Sequence, residues 1–369
     1  MPFRPIAIVG RACVLPGALN PEQLWQAIAN GRDLVTNAPA GRWRVDPKVK
    51  LTTAEHPDPD RAWSDRGGYV HGFESVWNPQ GFAVDAAELE GLAPLVAWTL
   101  HCAREARKGC HTDPKQRVGA VFGNLGFPSE RMAAYAEQVW RGDEVDNPVD
   151  PRNRYMSAGT ASLLQRALDL DAGSFCIDAA CASALYAIKL ACDRLNAGTA
   201  DLMLAGAVQG ADDLFLHVGF SALNALSRSG QSRPLHADAD GLVPAEGAAF
   251  VALKRLGDAR RDGDVIYGVI RGIGLSNDGR GKGLLAPSED GQQRAMRAAY
   301  AAAELSPCRI GLLECHATGT PVGDATELAS SAAVFADHEG LAIGSLKSNL
   351  GHLISAAGVA GLIKVLAAM

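Results

Sequence analysis

Short runs of apolar and β-branched residues alternate along the chain with longer runs rich in alanine and leucine. The short runs are typical of buried strands, and the longer runs repeat their apolar positions with helical spacing. An alternation of this kind predicts an α/β fold. The predicted strands are residues 5–10, 118–125, 175–180 and 200–208, and the predicted helices are residues 87–107, 157–170 and 182–195.

Two features of the pattern predict how the chain is organised. Residues 41–82, rich in Pro, Asp, Gly and Trp, interrupt the alternation and predict an irregular insertion lying over the surface. Residues 310–319 and 341–347 predict further strands. Segments 175–191 and 343–367 both pass from an apolar strand through a polar turn into an alanine-rich helix, which indicates two similar half-folds.

Composition restricts the classes of protein to which the chain can belong. With 47% hydrophobic and 21% charged residues over 369 positions, it can bury a large core. Its net charge of -6, with scattered basic residues, argues against nucleic acid as a partner. The eight cysteines include no Cys-x-x-Cys pair, which indicates reduced thiols. Because no apolar run has the length of a membrane span or signal peptide, we expect a cytoplasmic protein.

Cys181 is the first candidate for chemistry because it follows an apolar strand at the predicted start of an apolar helix. Free cysteines usually serve packing, and Cys102, Cys192 and Cys308 are interpreted in that way. The unpaired N–H groups of a helix N-terminus, however, stabilise an anion and lower the pKa of a thiol. We therefore expect Cys181 to be a thiolate nucleophile, whose own backbone N–H can point at an oxyanion.

Two further polar turns carry residues that suit the same chemistry. His316 ends a predicted strand before a Thr-Gly-Thr-Pro turn, where ligands usually bind in α/β folds. Lys347 also ends a strand, and His352 follows at the start of an apolar helix. A buried lysine needs an acidic partner, and Asp324 or Glu327 is expected to supply it. Each residue alone can be structural, but together they indicate a catalytic site.

Other catalytic templates are absent from the sequence. It contains no Gly-x-Ser-x-Gly nucleophile motif and no His-Glu-x-x-His zinc motif. The glycine-rich stretch at residues 276–285 lacks the leading Gly and the closing Ser or Thr of a phosphate-binding loop. We therefore expect neither a metal site nor a nucleotide site.

The three polar turns resemble the catalytic blocks of the β-ketoacyl synthases, the condensing enzymes of fatty-acid and polyketide synthesis. The matching stretches are "DAACASA" (178–184), "ECHATGTPVGD" (314–324) and "KSNLGHLISAAGVAGLIK" (347–364), with further likeness in residues 6–33 and 241–272. The resemblance covers most of the chain and implies a thiolase-like fold, in which two similar α/β halves form layers of helix, sheet, helix, sheet and helix. It also implies a homodimer. We expect one half to span residues 1–256 and the other residues 257–369.

The resemblance also implies roles for individual residues. Cys181 would take an acyl chain from the phosphopantetheine thioester of an acyl carrier protein, forming a covalent intermediate. His316 and His352 would hold a malonyl thioester and stabilise the enolate that its decarboxylation produces, and Lys347 would orient the two rings. No cofactor is expected to be bound, since the carrier protein delivers the substrates. The residues expected to support the site are Asp324, Glu327, Thr318, Thr320 and Asn349.

The sequence departs from the family pattern in three places. Residues 86–109 stand where modular polyketide synthases carry a Met-Asp-Pro-Gln-Gln-like stretch, and residues 276–292 look more like synthases of polyunsaturated and glycolipid-type acyl chains. Acyl chain length and branching therefore stay open. The sequence ends just after the helix that follows His352, where the family continues with further strands and a Gly-Phe-Gly-Gly-type loop. We therefore expect a truncated second half that lacks the second oxyanion N–H.

Two other interpretations stay open. A catalytically silent partner subunit, of the chain-length-factor kind, keeps the fold without the nucleophile, and the presence of Cys181 argues against it. A thiolase shares the fold but uses a second cysteine as base and does not decarboxylate malonyl units. The block containing Lys347 and His352 fits the condensing enzymes better. Protein acylation and malonyl decarboxylation distinguish the three.

Overall fold

The computed structural model describes residues 3–53, 58–142, 148–155, 157–280 and 286–369. The strands are β1 (Ile6–Val14), β2 (Thr36–Asn37), β3 (Arg66–Gly67), β4 (Val118–Asn124), β5 (Ser174–Ile177), β6 (Leu202–Gln209), β7 (Gly247–Arg255), β8 (Gly268–Ile270), β9 (Leu312–Glu314) and β10 (Ala342–Gly344). The helices are α1 (Pro21–Ala29), α2 (Pro47–Lys50), α3 (Pro94–Arg107), α4 (Glu130–Arg141), α5 (Ser157–Ala167), α6 (Ser183–Asn196), α7 (Asp213–Ala222), α8 (Leu256–Asp262), α9 (Glu289–Ala303), α10 (Pro321–Val334), α11 (Lys347–Leu350) and α12 (Ala357–Ala368). Residues 54–57 of the predicted insertion and residues 281–285 of the glycine-rich stretch lie outside the described residues.

Six strands form one mixed sheet in the order β5-β4-β6-β7-β1-β8. β4 runs parallel to β5 and β6, whereas β7 runs antiparallel to β6 and β1. β6 is buried at every position, as expected for a strand covered on both faces. Because β4, β5 and β6 are parallel, their carboxyl ends share one edge of the sheet, and the turn that carries Cys181 leaves from that edge.

Helices cover both faces of this sheet. α3 and α5 pack on one face, around Leu100 and Phe250. α6 and α12 pack on the other face, around Ile188 and Ile363, and α12 also contacts β9 of a second, parallel sheet formed by β9 and β10. α9 and α10 pack against each other in the same part of the chain. The predicted thiolase-like α/β fold is confirmed by this arrangement.

The structure corrects the boundaries of several predicted elements. The helix predicted from residue 87 begins instead at Pro94, after a 3₁₀ turn over Ala86–Leu89 and a break at Gly91, whose φ is 72°. Proline suits the first helical position because the N–H it lacks would have no partner there. The strands predicted at 310–319 and 341–347 are shortened to three residues each. None of the helices in the described ranges has both the length and the apolarity needed to cross a bilayer.

Most described residues of the insertion are exposed or partly exposed, as its composition predicted, but a few of them are anchored in the interior. Arg42, whose side chain is partly exposed, forms ion pairs with the mostly buried Asp213 and Glu246. Trp43 is buried and contacts the ring of His217 edge-on. Burial raises the pKa of Glu246, and the guanidinium of Arg42 opposes that rise. The acidic partners lie 171 and 204 residues away in sequence, so local composition gave no sign of them.

Candidate active site

The turn that carries Cys181 is tight and held by side chains. Asp178 follows β5, and its two carboxylate oxygens accept hydrogen bonds from the N–H groups of Gly126 and Ala180, each at 2.9 Å. Ala180 has a left-handed φ of 49°, which costs an alanine about 1–2 kcal/mol. Cys181 occupies a 3₁₀ turn directly before α6. Local strain maintained by surrounding contacts is typical of functional turns.

The Cys181 thiol is protonated at neutral pH, contrary to the expectation of a lowered pKa. Burial raises the pKa of the thiol to about 11, and the smaller opposing effects are the Lys347 ammonium and the backbone N–H of Cys181. A helix N-terminus lowers a thiol pKa only when its effect exceeds the loss of hydration. The surrounding residues come from distant parts of the chain, so sequence alone could not supply this balance.

His352 contacts the nucleophile directly. Its Nε2 lies 3.0 Å from the Cys181 Sγ, and its Nδ1 accepts a hydrogen bond of 3.2 Å from the Ile354 N–H. Since Nδ1 is an acceptor, the proton of the neutral ring is on Nε2 and points at the sulfur. Burial, the neighbouring His316 and the Lys347 charge all lower the pKa of His352 well below its usual value. The ring is therefore a neutral hydrogen-bond donor.

His316 stands beside His352 and is also neutral. The two ring centroids are 5.2 Å apart, with the rings at 83°. Desolvation and then the Lys347 charge lower the pKa of His316 to about 3, although its side chain opens onto a cavity. The structure thus brings Cys181, His316 and His352 together, as the sequence predicted for these positions.

Two acidic residues at the start of α10 hold the loop that carries His316. Glu327 accepts hydrogen bonds from the backbone N–H groups of His316 and Ala317, each at 2.6 Å. Asp324 accepts from the N–H groups of Thr318 and Gly319, at 3.0 and 3.2 Å. The hydroxyls of Thr318 and Thr320 are 3.0 Å apart. These residues shape the loop rather than face the thiol.

Lys347 is only 6% exposed. Among the described residues it forms no ion pair, so the expected pairing with Asp324 or Glu327 is wrong. Burial lowers the pKa of Lys347, and the charges that oppose this are Glu314 and then Glu327. The Glu327 carboxylate accepts hydrogen bonds from two backbone N–H groups, and the Glu314 carboxylate accepts from one backbone N–H group and from Lys364. Lys347 therefore acts on its neighbours through charge rather than through a direct pair.

Asn349 lies just beyond Lys347 and points away from the site. Its side chain donates a 3.0 Å hydrogen bond to the carbonyl of Arg32, and its own carbonyl accepts 2.7 Å from the Leu34 N–H. It anchors α11 to the segment after α1. The prediction that Asn349 supports the catalytic groups is replaced by this role in docking two segments.

A loop that the sequence analysis did not identify as functional contacts both the Lys347 segment and Asp324. The closing loop, residues 227–241, is tied at its ends by a 2.6 Å hydrogen bond from the Ser227 hydroxyl to Asp240. From this loop the Ser232 hydroxyl donates to the Lys347 carbonyl at 2.6 Å. The Leu235 N–H donates to Asp324 at 2.7 Å. The loop lacks periodicity, and its contacts with the site are long-range, so no local pattern revealed it.

A cavity of about 650 Å³ opens beside the catalytic groups. Cys181, His316 and Lys347 lie on its wall. Most of its remaining lining is apolar and includes Leu185, Met296 and Leu362, and α9 and α12 contribute several of these apolar residues. The cavity is mainly apolar, with the Cys181 thiol, the His316 imidazole and the charged side chains of Lys347, Glu314 and Glu327 on its wall. It suits an acyl thioester, because the aliphatic chain and the reactive carbonyl group need different surroundings.

The thiol and the two imidazoles also resemble a soft-metal ligand set, since their ligand atoms all lie within 4.8 Å of one another. Two observations argue against that use. His352 Nε2 carries a proton as long as Nδ1 accepts from Ile354, and the Lys347 ammonium repels a cation from the same space. The group therefore fits hydrogen-bond donation better than metal binding.

Comparison with known proteins identifies relatives over the whole chain. The family model "Beta-ketoacyl synthase, N-terminal domain" matches residues 3–259, and "Beta-ketoacyl synthase, C-terminal domain" matches residues 267–369. A PKS-NRPS hybrid synthetase from Aspergillus niger is 37% identical over 99% of this chain and 20% of its own length. The Pikromycin polyketide synthase component PikAIII from Streptomyces venezuelae is 35% identical over 99% of this chain and 23% of its own length.

Solved structures give the same picture. The structure of the PfaC keto synthase-chain length factor matches with a TM-score of 0.91 and 36% identity, over 99% of this chain and 42% of that one. An oxazolomycin ketosynthase domain from Streptomyces albus matches with a TM-score of 0.84 and 30% identity, over 98% of this chain and 62% of that one. The chain spans about a fifth of the length of the curated relatives named above.

The raised pKa of Cys181 predicts how its reactivity depends on pH. Only the thiolate is alkylated, so the rate with iodoacetamide should rise roughly tenfold per pH unit from about pH 7 to pH 10. Peptide-resolved mass spectrometry measures this rate. An unstructured reference thiol levels off near a pKa of ~8.5. A Cys181 rate that levels off below about pH 8 would show that the helix N-terminus, not burial, controls the thiol.

Proposed function

The chain belongs to the β-ketoacyl synthase family, and from that premise we propose that it catalyses a decarboxylative Claisen condensation on carrier-bound thioesters. The observation that supports this most strongly is the 3.0 Å contact between Cys181 Sγ and His352 Nε2, with His316 beside them. This contact supports the proposal because it joins the thiol that lines the cavity to one neutral imidazole, with the second imidazole also on the cavity wall. We also propose that one half, residues 1–256, supplies the thiol and the other, residues 257–369, supplies His316, Lys347 and His352.

In the first step Cys181 Sγ attacks the carbonyl carbon of an acyl thioester. The bond from that carbon to the phosphopantetheine sulfur breaks, and the thiol proton of Cys181 leaves with the released phosphopantetheine thiol. The backbone N–H of Cys181 supports the negative charge on the carbonyl oxygen. His352 already carries a proton on Nε2, so it stabilises the developing thiolate by hydrogen bonding and does not act as the base.

In the second step a malonyl thioester enters beside the two rings. Its carboxylate leaves as carbon dioxide, and the electron pair of the broken bond forms an enolate. His316 and His352 donate hydrogen bonds to the enolate oxygen, which in a dry site stabilise it strongly. The enolate carbon then attacks the acyl-Cys181 carbonyl, the carbon–sulfur bond breaks, and a β-ketoacyl thioester leaves. The Cys181 thiolate then takes up a proton from solvent, which restores the thiol.

A catalytically silent partner subunit is the alternative that one comparison brings forward, since one of the matching structures is a keto synthase-chain length factor. Cys181 argues for the enzyme, because a silent subunit has no need of a thiol in contact with an imidazole. Transfer of an acyl group to the protein separates these two possibilities.

The proposed partner that delivers both substrates is an acyl carrier protein, and no cofactor is needed for the two steps. We propose that the protein acts in the cytoplasm, since all eight cysteines are free. The acyl chain and the pathway, fatty-acid or polyketide, are not specified by the residues of the site.

Replacing Cys181 with Ala should abolish covalent acylation while leaving the fold intact, because it removes the nucleophile and keeps a small side chain. Intact-mass spectrometry after incubation with a carrier-bound acyl thioester measures the transfer. Cys308→Ala is the matched control, since Cys308 is exposed and remote from the proposed chemistry. Acylation retained in Cys181→Ala, or absent from the unmodified chain, would contradict the assignment.

The histidines should separate the two half-reactions. His316→Ala or His352→Ala should lower malonyl-thioester decarboxylation by about a hundredfold or more, the effect of losing one such donor elsewhere. Acylation of Cys181 should fall less, because both rings serve the second substrate and only His352 also contacts the thiol. Release of carbon dioxide and intact mass measure the two reactions on the same samples. Equal losses in both would assign the histidines to thiol activation instead.

We propose that the protein forms a homodimer through the free edge of β5. This strand ends the large sheet, and Phe175 on it is 38% exposed. An exposed apolar edge strand is a template for pairing with another chain. Light scattering should give twice the chain mass, and Phe175→Lys should give the monomer mass. Val49→Lys, at another exposed apolar position, is the control. A monomer for the unmodified chain at all concentrations would refute the proposal.

A further inference from the structure

Glu314 and Lys364, at the ends of two of the matching stretches, form an ion pair beside the catalytic groups to which the proposed mechanism gives no role. Glu314 ends β9, and its Oε2 accepts from the Lys364 Nζ at 2.6 Å. Its Oε1 accepts from the Leu346 N–H, also at 2.6 Å. Both side chains are about 15% exposed. One oxygen of the carboxylate thus binds the backbone directly before Lys347, and the other binds a side chain of α12.

The surrounding backbone is shaped to admit this pair. A Cβ at Gly361 would lie 3.2 Å from the Glu314 Cγ, and a Cβ at Gly344 would lie 3.2 Å from the Lys364 Nζ. Both contacts are tighter than ordinary packing allows. The two glycines therefore leave the space that the side chains fill, and the orientation of Glu314 is fixed from three elements, β9, β10 and α12.

Burial lowers the pKa of Lys347, and among the charges that oppose this change the carboxylate of Glu314 has the largest effect. The other titratable groups that interact with Lys347 are Glu327, Cys181, Cys315, His316 and His352. Glu327 already accepts two backbone hydrogen bonds at the His316 loop. The cationic form of Lys347 in turn favours the thiolate of Cys181 and keeps both imidazoles neutral.

We propose that Glu314 is a positioning residue of the active site: it fixes the turn at Leu346 that carries Lys347, while Lys364 holds the carboxylate in place. The inference rests on the proposed condensation, in which Lys347 serves the thiol and the two imidazoles. Glu314 lies on the wall of the same cavity, but its two carboxylate oxygens are used on the Leu346 N–H and on Lys364, so its effect reaches the chemistry through Lys347.

Two substitutions of opposite sign test the proposal. Glu314→Gln retains an acceptor for the Leu346 N–H and removes a negative charge, so Lys347 should lose its proton at lower pH. Lys364→Met removes a positive charge near Lys347, so Lys347 should keep its proton to higher pH. The alkaline limb of malonyl-thioester decarboxylation should therefore move to lower pH in the first variant and stay or move upward in the second. A shift of about one pH unit corresponds to about tenfold in rate on that limb.

A merely structural ion pair predicts a different result, because loss of either partner would lower melting temperature and rate together without opposite pH shifts. The double variant Glu314→Gln/Lys364→Met leaves no unpaired charge. It provides a folded protein for comparison if either single variant does not fold. Glu22→Gln, on an exposed carboxylate, is the matched control. In a Lys347→Met background the Glu314 substitution should have no further effect on the pH profile.

A second readout does not depend on the proposed reaction. The alkylation rate of Cys181 with iodoacetamide at a fixed pH near ~8 should fall by about threefold or more in Glu314→Gln, because the thiolate loses part of the Lys347 charge. If the unmodified chain decarboxylates no malonyl thioester, the proposed function fails while this measurement still decides the role of Glu314. Shifts of the same sign in both single variants, or an unchanged alkylation rate in Glu314→Gln, overturn the proposal.

Discussion

The hydrogen bond from the Ile354 N–H to His352 Nδ1 is the constraint on which the chemistry of this site depends. With Nδ1 accepting, the ring presents Nε2–H to the Cys181 sulfur at 3.0 Å. The same contact thereby assigns His352 as a donor and excludes it as the base for the thiol. Ile354 has a left-handed φ of 45°, so the turn that makes this bond is itself held under strain by its surroundings.

Burial then acts on three groups in different ways. It raises the pKa of the Cys181 thiol and lowers that of the buried His352. His316 is exposed on the cavity side, and there desolvation by its neighbours and the Lys347 charge lower its pKa, so all three groups are neutral near neutral pH. Lys347 supports the neutral rings and the thiolate alike, but it is buried without an ion pair among the described residues. Desolvation disfavours the protonated form of Lys347, and the negative charges of Glu314 and Glu327 favour it. The site is thus one coupled set of charges rather than a row of independent residues.

Sequence reasoning predicted the α/β fold and the positions of Cys181, His316, Lys347 and His352, because each of them stands at a strand-to-helix turn that local pattern reveals. It failed on the thiol pKa because burial depends on tertiary packing. It also predicted that Asp324 or Glu327 pairs with Lys347; neither forms an ion pair with it, since both carboxylates accept hydrogen bonds from backbone N–H groups, although the Glu327 charge favours the cationic lysine.

Other features could not be predicted for the same reason. Arg42 finds its acids far along the chain, and Glu314 meets Lys364 only when β9 packs on α12. The helix that begins at Pro94 was placed too early, although Gly91 and Pro94 carried a local signal for a break. Asn349, close in sequence to the catalytic turn, faces the other way. Proximity along the chain is thus a weaker guide to function than position at the edge of the sheet.

The central claim, that His352 is a neutral donor to the Cys181 sulfur, is tested most directly by nuclear magnetic resonance of the ¹⁵N-histidine-labelled protein. The protonated and unprotonated ring nitrogens of a neutral imidazole have distinct ¹⁵N shifts, and His352→Ala assigns the signal. The account predicts that Nε2 carries the proton across the neutral pH range. A proton on Nδ1, or a doubly protonated ring at neutral pH, would contradict it.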